Sequence, residues 1–187
     1  MNDMTGDLRN IQQGIFNNDE TALAGLYRAY YGKLYQFAKA LIHSNEAAEE
    51  IVEDVFVKLW CNRAAVTTIN NITVYLYVAV KNGCLNFISR KAKDLINGPF
   101  DFLDIELNDE TAGPDDILIT AEMMQRMHKA IDTLPPRCKM IFKLVREDGL
   151  KYKEVAQILN ISVNTIDVQM AIAVKRICMN LGIEKRV

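Results

Sequence analysis

Tyr152-Lys153-Glu154-Val155-Ala156-Gln157-Ile158-Leu159 is followed by Asn160-Ile161-Ser162 and then by Val163-Asn164-Thr165-Ile166-Asp167-Val168-Gln169-Met170. Two helical patterns separated by three residues read as a helix-turn-helix. Ala156 is the small residue where the helices cross. Ile161 can plug the core from the turn, and Ser162 can cap the second helix. Ile166, Met170, Ala173 and Ile177 recur at helical spacing and form its core stripe. Asn164, Thr165, Val168 and Gln169 then face outward near its start, where Asn and Gln can pair with base edges in a major groove. Lys151 and Lys153 lie within reach of phosphates. The same pattern also suits a plain helical hairpin that touches no DNA. Asp167, Val168, Ala171 and Ile172 argue for weak duplex affinity, because Asp repels phosphate and Val and Ile offer no hydrogen bond. Lys175 and Arg176 lie further along.

Upstream of this unit, apolar residues recur at three and four over 118–134, and Pro135-Pro136 stops that helix. Another helix is expected over 137–147, with Asp148-Gly149 as a turn. The N-terminal half is helical too. The pattern predicts helices over 10–16, 21–42, 46–63 and 73–93. Asn17-Asn18-Asp19 ends the first and caps the second, Ser44 caps the third, and Thr73 caps the fourth. Val66 to Ile72 is expected as a polar loop. Asn97-Gly98-Pro99 breaks the pattern, and 99–116 is read as an acidic linker. The expected architecture is all-α: one small helical domain over 1–98, the linker over 99–116, and a second over 117–187.

Charge divides along the same lines. Residues 1–98 hold 10 basic and 10 acidic side chains, 99–122 hold eight acidic and none basic, and 123–187 hold 12 basic and 6 acidic. The basic segment suits a phosphate backbone and the acidic one does not. Cys61, Cys84, Cys138 and Cys178 form no Cys-x-x-Cys pair, and His43 and His128 have no ligand partner at metal spacing, so buried free thiols are favoured over a metal site. No nucleophile-base pair or Gly-rich phosphate loop is present, so no catalytic residue, cofactor or small-molecule substrate is expected. No apolar run approaches the roughly 20 residues of a membrane span. The polar, acidic start has no signal-peptide character, so a cytoplasmic location is expected.

Two further faces are distinctive. In the helix beginning at Glu46, the apolar stripe runs Ala47, Ala48, Ile51, Val52, Val55, Phe56, Leu59 and Trp60. Opposite it lie Glu49, Glu50, Glu53, Asp54 and Val57. Glu49/Glu53 and Glu50/Asp54 are like charges four apart, each costing a few tenths of a kcal/mol, and only Asp54/Lys58 offsets them. A basic partner would explain the cluster. A solvated face with a favourable helix dipole explains Glu49 and Glu50 but covers Glu53 and Asp54 poorly. In the helix after Thr73, Tyr75, Asn82, Asn86, Ser89, Arg90 and Lys93 share an outer face. It suits either nucleic acid or plain solvent.

Three stretches together resemble the extracytoplasmic-function sigma factors, and the resemblance covers nearly all the chain outside the acidic linker. Leu26-Tyr27-Arg28-Ala29-Tyr30-Tyr31 with Ala48-Glu49-Glu50-Ile51-Val52-Glu53-Asp54-Val55-Phe56-Val57-Lys58-Leu59-Trp60 is similar to region two, whose acidic helix docks on the beta-prime clamp helices of RNA polymerase. Tyr75-Leu76-Tyr77-Val78-Ala79-Val80-Lys81-Asn82, continuing to Asn86, resembles the segment that melts and reads the minus-ten element. Leu134-Pro135-Pro136-Arg137-Cys138, Gly149 to Ala156 and Ile161 to Ile166 resemble region four, which reads the minus-thirty-five element and docks on the beta flap. The chain further resembles the branch common in Bacteroidetes and in iron-uptake regulation.

The resemblance implies a subunit that directs core polymerase to promoters. It assigns core binding to Glu49, Glu50, Glu53, Asp54 and Val57. Minus-ten contacts fall to Asn71, Tyr75, Lys81, Asn82, Asn86 and Arg90. Minus-thirty-five contacts fall to Lys151, Tyr152, Lys153, Ser162, Asn164, Thr165, Val168, Gln169, Lys175 and Arg176. It also implies an anti-sigma partner, in many cases membrane-bound. Family members often carry a basic residue where this chain has Asn164, Asp167 or Ile172, so the minus-thirty-five sequence does not transfer. The competing reading is a stand-alone helix-turn-helix regulator that binds duplex DNA without polymerase.

Overall fold

The computed structural model describes residues 3–94 and 118–182. Every element among them is helical: α1 Asp3–Phe16, α2 Glu20–Ile42, α3 Asn45–Cys61, a 3-10 segment Arg63–Thr68, α4 Ile72–Asp94, α5 Leu118–Asp132, α6 Pro136–Arg146, α7 Tyr152–Leu159 and α8 Val163–Asn180. The chain divides into two compact units, Met1–Asp101 and Phe102–Val187. The expected linker, 99–116, lies outside the described residues.

In the first unit α2 is the central element, packed by α1, α3 and α4. Its buried side chains, Leu26, Leu34, Phe37 and Ala38, recur at the spacing of one helix face. Phe37 meets Tyr77 of α4 edge to face at 5.3 Å. Two contacts are close enough to require glycine. A Cβ on Gly14 of α1 would stand 2.7 Å from Ala22 Cβ, and one on Gly83 of α4 would stand 2.7 Å from Ile51 Cγ2 on α3.

Side-chain caps set four of the helix starts among the described residues. Asp19 accepts from Thr21 N at 2.8 Å and from its hydroxyl at 2.7 Å, which also holds the Asp19 carboxyl below its ordinary pKa. Ser44 accepts from Ala47 N at 3.3 Å and Ser162 from Thr165 N at 3.0 Å. Thr73 does not cap α4. Asn71 does, its Oδ1 accepting from Val74 N at 3.0 Å. Thr73 lies inside the helix, buried, and its hydroxyl shares a 2.7 Å hydrogen bond with Tyr30 OH of α2. Asn ranks above Thr as a cap, and one shift of two residues moves Thr73 onto the core side.

α1 is longer than expected, starting at Asp3 rather than Asn10, because its first turns carry little apolar periodicity to read. The end of the third helix also differs. It stops at Cys61, and the 3-10 segment occupies the first half of the expected 66–72 loop.

In the second unit α8 is the hub, packed by α5, α6 and α7. Its Ala173 and Ile177 join Ala130, Ile131, Leu134 and Cys138 in one cluster. Pro135 and Pro136 turn α5 into α6, with Pro136 at the first helical position where its missing N–H costs nothing. Lys139 is only 4 % exposed and reaches Asp132 Oδ1 at 2.7 Å. That lysine therefore belongs to the fold and does not contribute to the basic surface of its segment.

Candidate nucleic-acid and partner interfaces

Burial of Ala48, Val52, Val55, Phe56 and Leu59 turns the opposite side of α3 outward. Glu49, Glu50, Glu53 and Asp54 all lie exposed there, with Val57 among them at 59 % exposure. Asp54 pairs with Lys58 at 3.3 Å, both well exposed, so the pair screens little of the cluster. Beside it runs a feature the sequence reading missed. Tyr27, Tyr31 and Tyr35 stand four apart on α2 and form a ladder, with centroids 4.8 and 6.1 Å apart. Tyr27 rests edge-on against Phe56 of α3 at 4.9 Å. The Tyr31 hydroxyl donates to Glu49 Oε1 at 3.3 Å. Burial first, and then the Glu49 charge, push that hydroxyl up to about 12. Tyr27 is raised as well, by burial and then by Glu53 and Glu49. The result is a negative patch with an aromatic flank and an apolar centre, a surface that fits a basic partner. The clue in the sequence was the spacing of three tyrosines.

On α4, burial of Leu76, Tyr77, Val80 and Cys84 turns Tyr75, Asn82, Asn86, Ser89 and Arg90 outward. Lys81 is half-buried and stands about 100° around the helix from Asn82, so it flanks this row rather than joining it. Asn71 directs its side-chain oxygen into the α4 cap. The loop before α4 is held from a distance. Gln12 of α1, 6 % exposed, donates from Nε2 to Val66 O at 2.8 Å and to Ile69 O at 2.9 Å. Nothing in the sequence marks Gln12, because a single polar residue on a helix carries no sign of what lies 54 residues away. At the other end of the loop, Arg63 lies over the Trp60 ring at 5.0 Å and donates to Trp60 O.

The helix-turn-helix forms as read. Glu154 accepts from Lys151 N at 2.8 Å at the start of α7, Asn160 closes it in the left-handed conformation, and Ser162 caps α8. Ile166, Met170, Ala173 and Ile177 are buried, and so is Ala156 on α7. Lys151, Lys153, Ser162, Asn164, Val168, Lys175 and Arg176 are exposed, while Tyr152, Thr165 and Gln169 are half-buried. The Thr165 hydroxyl is tied to Ser162 Oγ at 2.8 Å. Ile161, expected to plug the core, is half-buried. Among the described residues no group of three or more His, Cys, Asp or Glu side chains stands close enough to hold a metal, and no helix is long and apolar enough to cross a membrane.

Residues 26–94 match the family described as Sigma-70 region 2, and residues 124–177 match Sigma-70, region 4. The chain is 24% identical over 161 residues to the ECF RNA polymerase sigma factor SigW of Bacillus subtilis (strain 168), covering 79% of this chain and 82% of that protein. It is 23% identical over 155 residues to the ECF RNA polymerase sigma-E factor of Escherichia coli (strain K12), covering 79% and 80%. Its fold is similar to the sigma factor RpoE solved with the anti-sigma factor NepR from Bartonella quintana, with TM-score 0.56, 19% identity and 82% and 92% of the two chains covered. It is also similar to the structure of CnrH in complex with the cytosolic domain of CnrY, with TM-score 0.54, 14% identity and 95% and 98% covered. With both conserved regions in order and relatives that share most of its length, this chain belongs to the sigma-70 family, as an RNA polymerase sigma factor of the extracytoplasmic-function group.

Proposed function

We propose a division of labour among three surfaces for this sigma factor. The outer face of α3, with Glu49, Glu50, Glu53, Asp54 and Val57, docks on the beta-prime clamp helices of core polymerase. The outer row of α4, Tyr75, Asn82, Asn86 and Arg90 flanked by Lys81, captures unpaired minus-ten bases together with the loop that Asn71 closes. α8, supported by α7, enters the major groove at the minus-thirty-five element, and its unit docks on the beta flap. Strand opening is then driven by binding the single-stranded product, and the chain catalyses no reaction itself.

The observation that carries this reading is the acidic face of α3. Four carboxylates in two turns repel one another, and little on their own surface compensates them. A basic partner removes that cost. With Asp167 and an apolar centre on its outer face, α8 should bind duplex DNA weakly alone. Anchoring both DNA-reading surfaces to polymerase raises their effective concentration on one promoter. The acidic stretch 99–116 is read as the tether, lying in a basic polymerase channel. The protein works where polymerase and chromosome are, in the cytoplasm. An anti-sigma factor, membrane-bound in many such systems, holds it inactive, a reading supported by the anti-sigma partner in the RpoE structure.

The test is co-elution with purified bacterial core polymerase on a sizing column at near-physiological salt. Stoichiometric co-elution, lost in Glu53→Lys plus Asp54→Lys, is expected. Both side chains are exposed, so the variant should remain folded. A folded wild-type chain that elutes apart from core polymerase would refute the docking assignment.

A further inference from the structure

The ordered row of side chains on the outside of α8 suggests how it recognises sequence. Opposite the buried stripe of Ile166, Met170, Ala173 and Ile177 runs a line of Asn164, Val168, Ala171 and Lys175, all exposed. Val168 is 49 % exposed, and Ile172 beside it is 37 % exposed. The polar readers are few. Thr165 is tied to Ser162 within the cap, and Gln169 is half-buried, which leaves Asn164 as the amide on the line. The centre of the reading face is therefore apolar. A β-branched valine on a half-exposed helix surface lowers helix propensity and gains only part of its burial in the free protein.

The charges around this row define its partner. Lys151 and Lys153 lie before and on α7, and Lys175 and Arg176 lie at the far end of the row. Cations at the far end of the row, with further exposed cations at the start of the adjoining α7, suit a groove whose rims are phosphates. In the major groove of DNA, the apolar feature presented by the bases is the C5-methyl group of thymine. Val168 and Ala171 are separated by about 4.5 Å along the helix, close to the roughly 3.4 Å step between base pairs. Asp167, exposed next to them, repels phosphate but can accept a hydrogen bond from the amino group of cytosine.

We propose that α8 reads the minus-thirty-five element mainly through thymine methyl groups, with Val168 and Ala171 as specificity-determining residues contacting neighbouring base pairs. This rests on α8 being the helix that enters the groove, and the experiment separates the two ideas.

Holoenzyme is assembled from the full chain and core polymerase, and a promoter library with a randomised upstream window is selected by binding. Each thymine of the selected window is then replaced by uracil, which lacks only the methyl. At one or two positions, uracil should weaken holoenzyme binding by about fourfold, the effect of one buried methyl group. Val168→Ala should abolish that difference at one of them without lowering the thermal melt, since the side chain is exposed and alanine is the better helix former. A selected window in which every uracil binds as well as thymine, or which contains no thymine, overturns the methyl inference and leaves the groove assignment standing. A window in which no sequence is preferred overturns both, and assigns the apolar row to a protein contact.

Discussion

Replacing Gln12 by methionine should loosen the loop before α4 without disturbing the packing of α1. Methionine keeps the length and roughly the volume of the side chain and removes only the amide that bonds Val66 O and Ile69 O. A buried carbonyl deprived of its donor costs about 1–3 kcal/mol. Val66 O also accepts from Ile69 N at 3.2 Å and so keeps a partner, and the Ile69 bond is only partly buried. The gain from burying a thioether offsets part of the rest. The expected loss is therefore about 1–2 kcal/mol, at least several-fold in the folding equilibrium. Urea unfolding of the full chain followed by far-ultraviolet circular dichroism measures it, and hydrogen exchange at the Ile69 amide reports the loop directly. With core polymerase bound, strand opening should fall while co-elution persists, because the Gln12 side chain bonds to the loop and not to the acidic face. A loss below about 0.5 kcal/mol with unchanged Ile69 protection would refute the clasp.

Three further outcomes are expected. Asp132→Ala should cost about 1–3 kcal/mol in urea unfolding, because it strips a partner from the buried Lys139 ammonium, whereas Lys139→Met should be close to neutral. Equal losses would show that the pair matters only through packing. Gly83→Ala should destabilise by about 1 kcal/mol, the clash with Ile51 Cγ2 outweighing the gain in helix propensity, and Ile51→Ala in the same chain should recover part of it in a double-mutant cycle. An additive cycle would place the strain elsewhere. In a near-ultraviolet pH titration, Tyr31 should ionise close to 12, later than an ordinary tyrosine. Because its folded pKa is raised, the associated stability is intact below pH 10 and is lost as pH rises through about 12. Glu49→Gln should bring Tyr31 only part of the way down, since burial is the larger cause.

Local signals carried the fold well. Ser44, Asp19 and Ser162 cap where a short hydroxyl or carboxylate precedes an apolar period, and Ile166, Met170, Ala173 and Ile177 are buried as their spacing implied. Errors arose where two local choices were nearly equal. Asn71 and Thr73 are both good caps, and the choice between them depends on the Tyr30 hydroxyl arriving from another helix. The acidic row on α3 and the amide row on α4 were legible because each is the complement of a core stripe on the same helix. The Gln12 clasp, the placement of Glu49 beside Tyr31 and the burial of Lys139 were not, since each depends on which helix lies alongside. Lys81 entered the minus-ten set through the family resemblance and not through the outer face of α4, from whose Asn82 it stands about 100° around the helix.

The burial of two cysteines has a practical consequence for following this protein in solution. Burial pushes the Cys84 thiol up to about 12 and raises that of Cys138, whose Sγ also donates to Gln169 O at 3.3 Å. Reaction with a maleimide proceeds through the thiolate, so both are nearly inert at neutral pH. Cys178 is half covered, and Cys61 stands exposed four residues beyond Val57, at the end of the acidic helix. A brief, substoichiometric treatment should therefore place a dye on Cys61 in the unmutated chain, next to the surface where polymerase is expected to arrive.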